Sequence, residues 1–204
     1  MSAADGAEIP LFPLNVVLFP GGPLPLRIFE TRYVDMVKRC MREGTPFGVV
    51  ALREGDAEAG AAAVKSFAEI GTSARIVDFD LLEDGLLGIV CRGERRFRVL
   101  EHRRQADGLN VGRVEWLDPT EPRAVATLPE EHANLRELLQ RVWPELGDAY
   151  AGVEPRFDDA DWVGARLAEI LPLRTGDKQF LLELSDPLLR LARISPLLRR
   201  SNDA

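Results

Sequence analysis

The stretch Ile9-Pro-Leu-Phe-Pro-Leu-Asn-Val-Val-Leu-Phe-Pro-Gly-Gly-Pro-Leu-Pro-Leu26 decides the fold class. It carries no charge over 18 residues, a length that raises the question of a membrane span. Prolines at 10, 13, 20, 23 and 25, with Gly21-Gly22, answer it. Each internal proline removes a backbone donor and clashes with the preceding turn, so no lipid-spanning helix forms here. The stretch is extended chain. Leu14–Phe19 reads as a strand buried on both faces, and Pro25–Phe29 as a second extended segment.

Working outward, a helix begins near Glu30 or Thr31 with Tyr33, Val37, Cys40 and Met41 on one face, and Gly44 ends it. Phe47–Leu52 returns as a strand, and Arg53–Ala63 lacks periodicity and reads as a mobile loop. Ile70–Val77 and Leu86–Cys91 flank a turn at Glu83-Asp84-Gly85, while Arg95–Arg104 and Leu109–Leu117 flank another at Asp107-Gly108. Six strands with short turns and one inserted helix give a small, curved, barrel-like sheet. Asp118-Pro-Thr-Glu-Pro122 then breaks the pattern, and the period becomes helical. Pro129 starts one helix, Asp158 caps a second, Thr175 caps a third, and Asp186-Pro187 opens a fourth that bends or breaks at Pro196. The fold class is α+β. The divisions are a β-rich part over 1–117, a linker over 118–127 and a bundle of about four helices over 128–204.

Composition excludes several function classes. Net charge is −7, from 26 basic and 33 acidic residues, against the positive balance of a general nucleic-acid binder. The three lysines, Lys38, Lys65 and Lys178, never follow glycine, so no phosphate-cradling Gly-Lys-Ser/Thr loop exists. No serine sits in a Gly-x-Ser-x-Gly elbow. His102 and His132 read as solvated, no Cys-x-x-Cys or His-x-x-x-His occurs, and neither a metal site nor a cofactor is expected. Cys40 and Cys91 read as buried reduced thiols, and Met1–Glu8 has no basic-then-apolar leader, which together fit a cytoplasmic protein.

One basic cluster remains, Arg92-Gly-Glu-Arg-Arg-Phe-Arg98, extended by Arg103 and Arg104. Simple alternation puts Arg92, Glu94, Arg96 and Arg98 on one face, with Arg95, Phe97 and Val99 on the other. The runs Ile9–Pro20 and Pro25-Leu-Arg-Ile-Phe-Glu-Thr-Arg-Tyr33, with Phe47-Gly-Val-Val50, Ile70-Gly-Thr72, Arg92–Phe97, Asp177–Glu183 and Asp186–Leu191, resemble the amino-terminal substrate-binding domain of the ATP-dependent Lon proteases. That resemblance covers about Ile9 to Leu198. It implies a PUA-like pseudo-barrel followed by a helical bundle, in a bacterial form without the ATPase and protease domains.

It further implies a non-catalytic module that binds unfolded or damaged polypeptides or a protease partner. The expected peptide surface is Pro23, Leu24, Leu86, Trp116 and Trp143. The alternative is an RNA-binding face of Arg92, Arg96, Arg98, Arg103 and Arg104, which PUA-like folds often provide and the acidic balance opposes. Glu30, Arg32, Arg95 and Arg96 are candidates for ion pairs joining the first helix to the sheet. Oligomeric state is left open.

Overall fold

The structure is a computed structural model that describes residues 6–53, 66–119 and 125–202. Among these, strands β1 (Ala7–Leu14), β2 (Pro23–Ile28), β3 (Phe47–Ala51), β4 (Ile70–Leu81), β5 (Leu87–Arg104) and β6 (Asn110–Trp116) form one sheet in the order β2-β5-β4-β3-β1-β6. Because β5 also pairs with β6, five strands close into a small barrel, and β2 lies outside the ring against the first part of β5. The assigned loop beyond Arg53, and residues 120–124 of the assigned linker, lie outside the described residues.

The proline-rich opening is extended, but its ladder falls earlier than the apolar run suggests. β1 pairs with β6 over Ala7–Leu11 and with β3 over Leu11–Leu14. Pro10 therefore has only β6 beside it and Pro13 only β3, leaving each a side where a missing N–H breaks no ladder. Val17 and Phe19, expected in a strand, enter the helical core instead.

Helix α1 (Thr31–Glu43) forms where expected and ends at Gly44, whose φ of 65° is the left-handed conformation that glycine adopts freely. Its buried face is Tyr33, Met36, Val37 and Cys40, whereas Met41 is exposed. Tyr33 stacks on Phe12 with ring centroids 3.9 Å apart, and the face packs on Phe47, Val49, Ile89 and Cys91. Burying each such large side chain contributes about 1.5–3 kcal/mol. β3 is buried on both faces: Phe47 and Val49 meet the α1 core, while Val50 joins Ile9, Leu11, Phe97 and Val114 in a second core. Gly48 is required there, since a Cβ would sit 2.6 Å from the Phe97 ring.

Helices α2 (Ala133–Val142), α3 (Ala160–Ile170), α4 (Thr175–Glu183) and α5 (Pro187–Asn202) build the third core around Leu135, Leu139, Val163, Leu167, Leu181 and Leu191. Phe19 is fully buried in it, and Val17 and Ile70 pack against it, so the barrel and the helices share apolar contacts. α3 is capped by Asp159, which accepts from Asp161 N–H at 3.0 Å, and not by Asp158, which pairs with Arg136. α5 continues through Pro196.

The two lobes are joined by buried arginines. Arg96 on β5 pairs with Asp118 at 2.9 Å and donates to the carbonyls of Leu182 and Leu184 at 2.9 and 3.1 Å. Arg190 on α5 donates to the carbonyls of Leu181 and Leu184 and pairs with Asp161. Two guanidinium groups thus cap the end of α4, where the helix leaves carbonyls without partners. Arg96 therefore joins the sheet to the helical lobe and not to α1, and Asp118 is part of that junction. Asp118→Ala should leave a buried unpaired cation and cost about 3–5 kcal/mol. Glu115→Ala, which breaks an exposed pair with Arg98, should cost less than about 1 kcal/mol, and urea unfolding of both variants tests the contrast.

Candidate functional site

The tip of the β4–β5 hairpin carries the most exposed cluster of large apolar side chains on the barrel. β3 pairs with β4 only through Ala74, so residues 78–81 pair with β5 alone among the described residues. Two rungs cross β2, β5 and β4 here: Leu26, Ile89 and Phe79 in one, Ile28, Leu87 and Leu81 in the other. Both rungs are apolar throughout. Their β2 and β5 members reach the α1 core, but Phe79 is 58% exposed and Leu81 70%. Phe29, just past β2, is 72% exposed, and Val77 is exposed as well. Gly85, with φ of 78°, makes the turn.

A groove of 700 Å³ lies on this hairpin, bounded by Pro25, Leu26, Phe79, Leu82 and Val90. Its polar rim is acidic: Asp78, Asp80, Glu83 and Asp84 against Arg27, which pairs with Asp84. The Leu86 backbone N–H, together with Arg27, holds the Asp84 carboxyl below its ordinary range. A patch of this kind, apolar with one sign of charge at its border, marks an interaction surface more often than a solvated face.

The residues assigned to peptide binding are not gathered into one surface. Leu86 sits in the hairpin turn, beside this groove. Pro23 and Leu24 lie at the other end of β2, about 17 Å away along the strand, in a 290 Å³ pocket with Tyr150 and Lys178. Trp116 lines the cleft between the lobes, under the Arg95 guanidinium, 4.5 Å from the ring centroid. Trp143 packs among Tyr150, Phe157 and Trp162 inside the helical lobe. Phe29, Val77, Phe79 and Leu81 were missed; the alternation Asp78-Phe-Asp-Leu81 before a turn was their signal, and it reads equally well as an ordinary strand end.

Nor do the five arginines share a face. Arg96 is buried at the lobe junction and not on a face shared with Arg92 and Arg98. A β-bulge between Thr72 and Ala74, opposite residues 93–96, shifts the phase of β5 and turns Arg96 inward. Arg92 bridges the lobes through the carbonyls of Gly21 and Gly152. Arg98 pairs with Glu115, Arg103 with Glu8, and Arg104 donates to Gly108. The interlobe cleft, 830 Å³, mixes Arg75, Arg92, Arg95 and Arg156 with Glu94 and Glu154 and has no single sign.

The model of the ATP-dependent protease La (LON) substrate-binding domain matches residues 8–200. The chain belongs to this LON substrate-binding domain family. A crystal structure of a Lon N-terminal domain protein from Xanthomonas campestris is 40% identical, superposes with a TM-score of 0.75, and covers 93% of this chain and 98% of that one. The N-terminal domain of Mycobacterium avium complex Lon protease, 19% identical with a TM-score of 0.57, shares the fold over 91% of this chain and 95% of its own. Lon protease 2 of Myxococcus xanthus is 28% identical over 199 residues, 96% of this chain but 24% of that protein. The chain thus spans about a quarter of the curated relatives it matches. The PUA-like barrel with appended helices is the LON-domain architecture.

Among the described residues of this LON domain, no group of His, Cys, Asp and Glu could hold a metal ion, and no helix is long and apolar enough to cross a membrane. Cys40 and Cys91 are free and buried, and burial pushes the Cys91 thiol up to about 12, far from a reactive thiolate. His132, expected in solvent, is buried. A buried ionisable cluster lies under the Pro20–Gly22 loop. Fully buried Arg166 donates to Glu169 at 2.8 Å and to the Pro20 carbonyl at 2.9 Å, and the Tyr150 hydroxyl donates to Glu169 at 3.2 Å. Burial outweighs the Arg166 charge and raises Glu169 to about 7. A carboxyl raised in the folded state binds its proton more tightly there than in the unfolded chain. Its contribution to stability is therefore complete below about 4.5 and lost as pH rises through about 7. Unfolding free energy should fall across that window, and Glu169→Gln should flatten the fall in urea titrations at stepped pH.

Proposed function

We propose that this chain is a non-catalytic, cytoplasmic recognition module that binds polypeptide segments exposing apolar side chains and works with an ATP-dependent protease partner. The observation that carries this reading is the exposed apolar end of the two β2-β5-β4 rungs, Phe79 and Leu81. Membership of a substrate-binding family supports it. The surface stands on strands whose inner residues are core, so it is held in place before any client arrives, which lowers the ordering cost of binding.

In this reading the barrel part, 1–117, carries the contact surface, and the helical part, 128–204, braces the barrel through Arg96 and Arg166. Of the residues first assigned to peptide binding, Leu86 borders the surface, and Trp143 serves the helical core. A nucleic-acid role draws no support from arginines that pair with carboxylates and carbonyls across β5 and β6.

The double variant Phe79→Ser/Leu81→Ser should weaken binding of a reduced, carboxymethylated model protein by about tenfold or more, the worth of two large apolar contacts. Its melting temperature should stay near that of the parent chain, because both side chains are exposed. Fluorescence anisotropy measures the binding; unchanged affinity would remove the proposal.

A further inference from the structure

The outer edge of β4 has a second property that the apolar cluster alone does not explain. The backbone N–H of Phe79 donates to Asp78 Oδ1 at 2.9 Å, and that of Leu81 to Asp80 Oδ1 at 2.8 Å. The Leu82–Leu86 backbone bond sets the alternation of this antiparallel pair, so Phe79 and Leu81, in register with Ile89 and Leu87, turn their amides away from β5 and onto these neighbouring side chains. No strand lies on the far side of residues 78–81 among the described residues. The edge is therefore open, its two donors held only by exposed side chains, which water can solvate once the carbonyls of an added strand replace them. β2, the sheet's other flank, lacks two donors at Pro23 and Pro25 and is the poorer template.

We propose, resting on the reading above, that clients bind by adding an extended strand to the β4 edge at residues 78–81, and that the favoured segment alternates apolar residues with Lys or Arg. In such an addition the client's carbonyls accept from the Phe79 and Leu81 amides, and its apolar side chains extend the exposed rungs. Asp78 and Asp80, freed from those amides, face the incoming strand as carboxylates. Together with Glu83 and Asp84 they put four acids around a groove whose one basic side chain, Arg27, pairs with Asp84. A segment bearing Lys or Arg at alternate positions complements that border through charge-assisted hydrogen bonds.

The probes are three acetylated nonapeptides: one alternating Val or Phe with Lys, the same peptide with Glu for Lys, and the Lys peptide N-methylated at alternate amides. Anisotropy with the full chain should show the Lys peptide binding about tenfold or more tightly than the Glu peptide, with the difference shrinking in about 0.5 M salt. N-methylation should abolish binding, and the Phe79 and Leu81 amides should gain protection from hydrogen exchange on adding the Lys peptide. Asp78→Asn/Asp80→Asn should bring the Lys and Glu peptides to within about threefold of each other.

Equal affinity for Lys and Glu peptides, or for the N-methylated peptide, overturns the strand-addition inference. If Phe79→Ser/Leu81→Ser still weakens unfolded-protein binding in that case, apolar recognition stands without it. If Asp78→Asn/Asp80→Asn makes the chain self-associate or bind all three peptides more tightly, the carboxylates guard the edge and the inference falls. If neither peptides nor the unfolded protein bind, both proposals fall.

Discussion

Two buried guanidinium groups converge on the end of α4, and one of them, Arg96, ties that end to the barrel. Arg96 arrives from the barrel and Arg190 from α5, and both donate to the Leu184 carbonyl. A helix end buried against a sheet needs donors for its last carbonyls, and α4 has no glycine to supply a left-handed cap. The arginines fill that need and in the same contacts fix the helices against β5. Asp118 and Asp161 then neutralise them, so carboxylates at the boundary between the lobes serve the fold first.

This constraint explains why β5 is a single strand. Leu86–Cys91 and Arg95–Arg104 read as separate segments because Arg92-Gly-Glu-Arg-Arg96 interrupts the apolar pattern. In the structure the interruption is the junction. Gly93 passes so close to the Phe19 carbonyl that a Cβ would lie 2.3 Å from its oxygen, and it exchanges backbone hydrogen bonds with Gly21 and Gly22. Residues 87–104 thus run unbroken from the exposed hairpin to the barrel wall.

Local sequence signals predict the structure wherever the governing force is local. Gly44, Gly85 and Gly108 all adopt positive φ at the turns and the helix end assigned to them. Tyr33, Val37 and Cys40 on the α1 face follow from periodicity, and the Phe47 strand from its apolar run. Three things do not: the Val17–Phe19 segment, the inward turn of Arg96, and the burial of His132. The first two depend on partners distant in sequence and on a bulge that reverses alternation, and neither leaves a mark in a short window. The exposed Phe79 and Leu81 belong to the same class. Apolar residues at a strand end read as core unless one knows that β3 stops short of them.

The closure of the barrel sets an order of events during synthesis. β1 pairs with β6, joining Ala7 to Val114, and Phe19 waits for helices that begin beyond residue 130. β1 can meet β3 soon after it is made, but its second neighbour and the core that takes Phe19 come from much later in the chain. Until then, the uncharged proline-rich stretch stays extended, and its prolines keep it from templating strands in other nascent chains. Contacts of such long sequence separation also make folding slow relative to local helix formation. A barrel closed between β1 and β6 thus leaves the apolar stretch from Ile9 to Leu26 without all of its partners until the chain beyond residue 130 has been made.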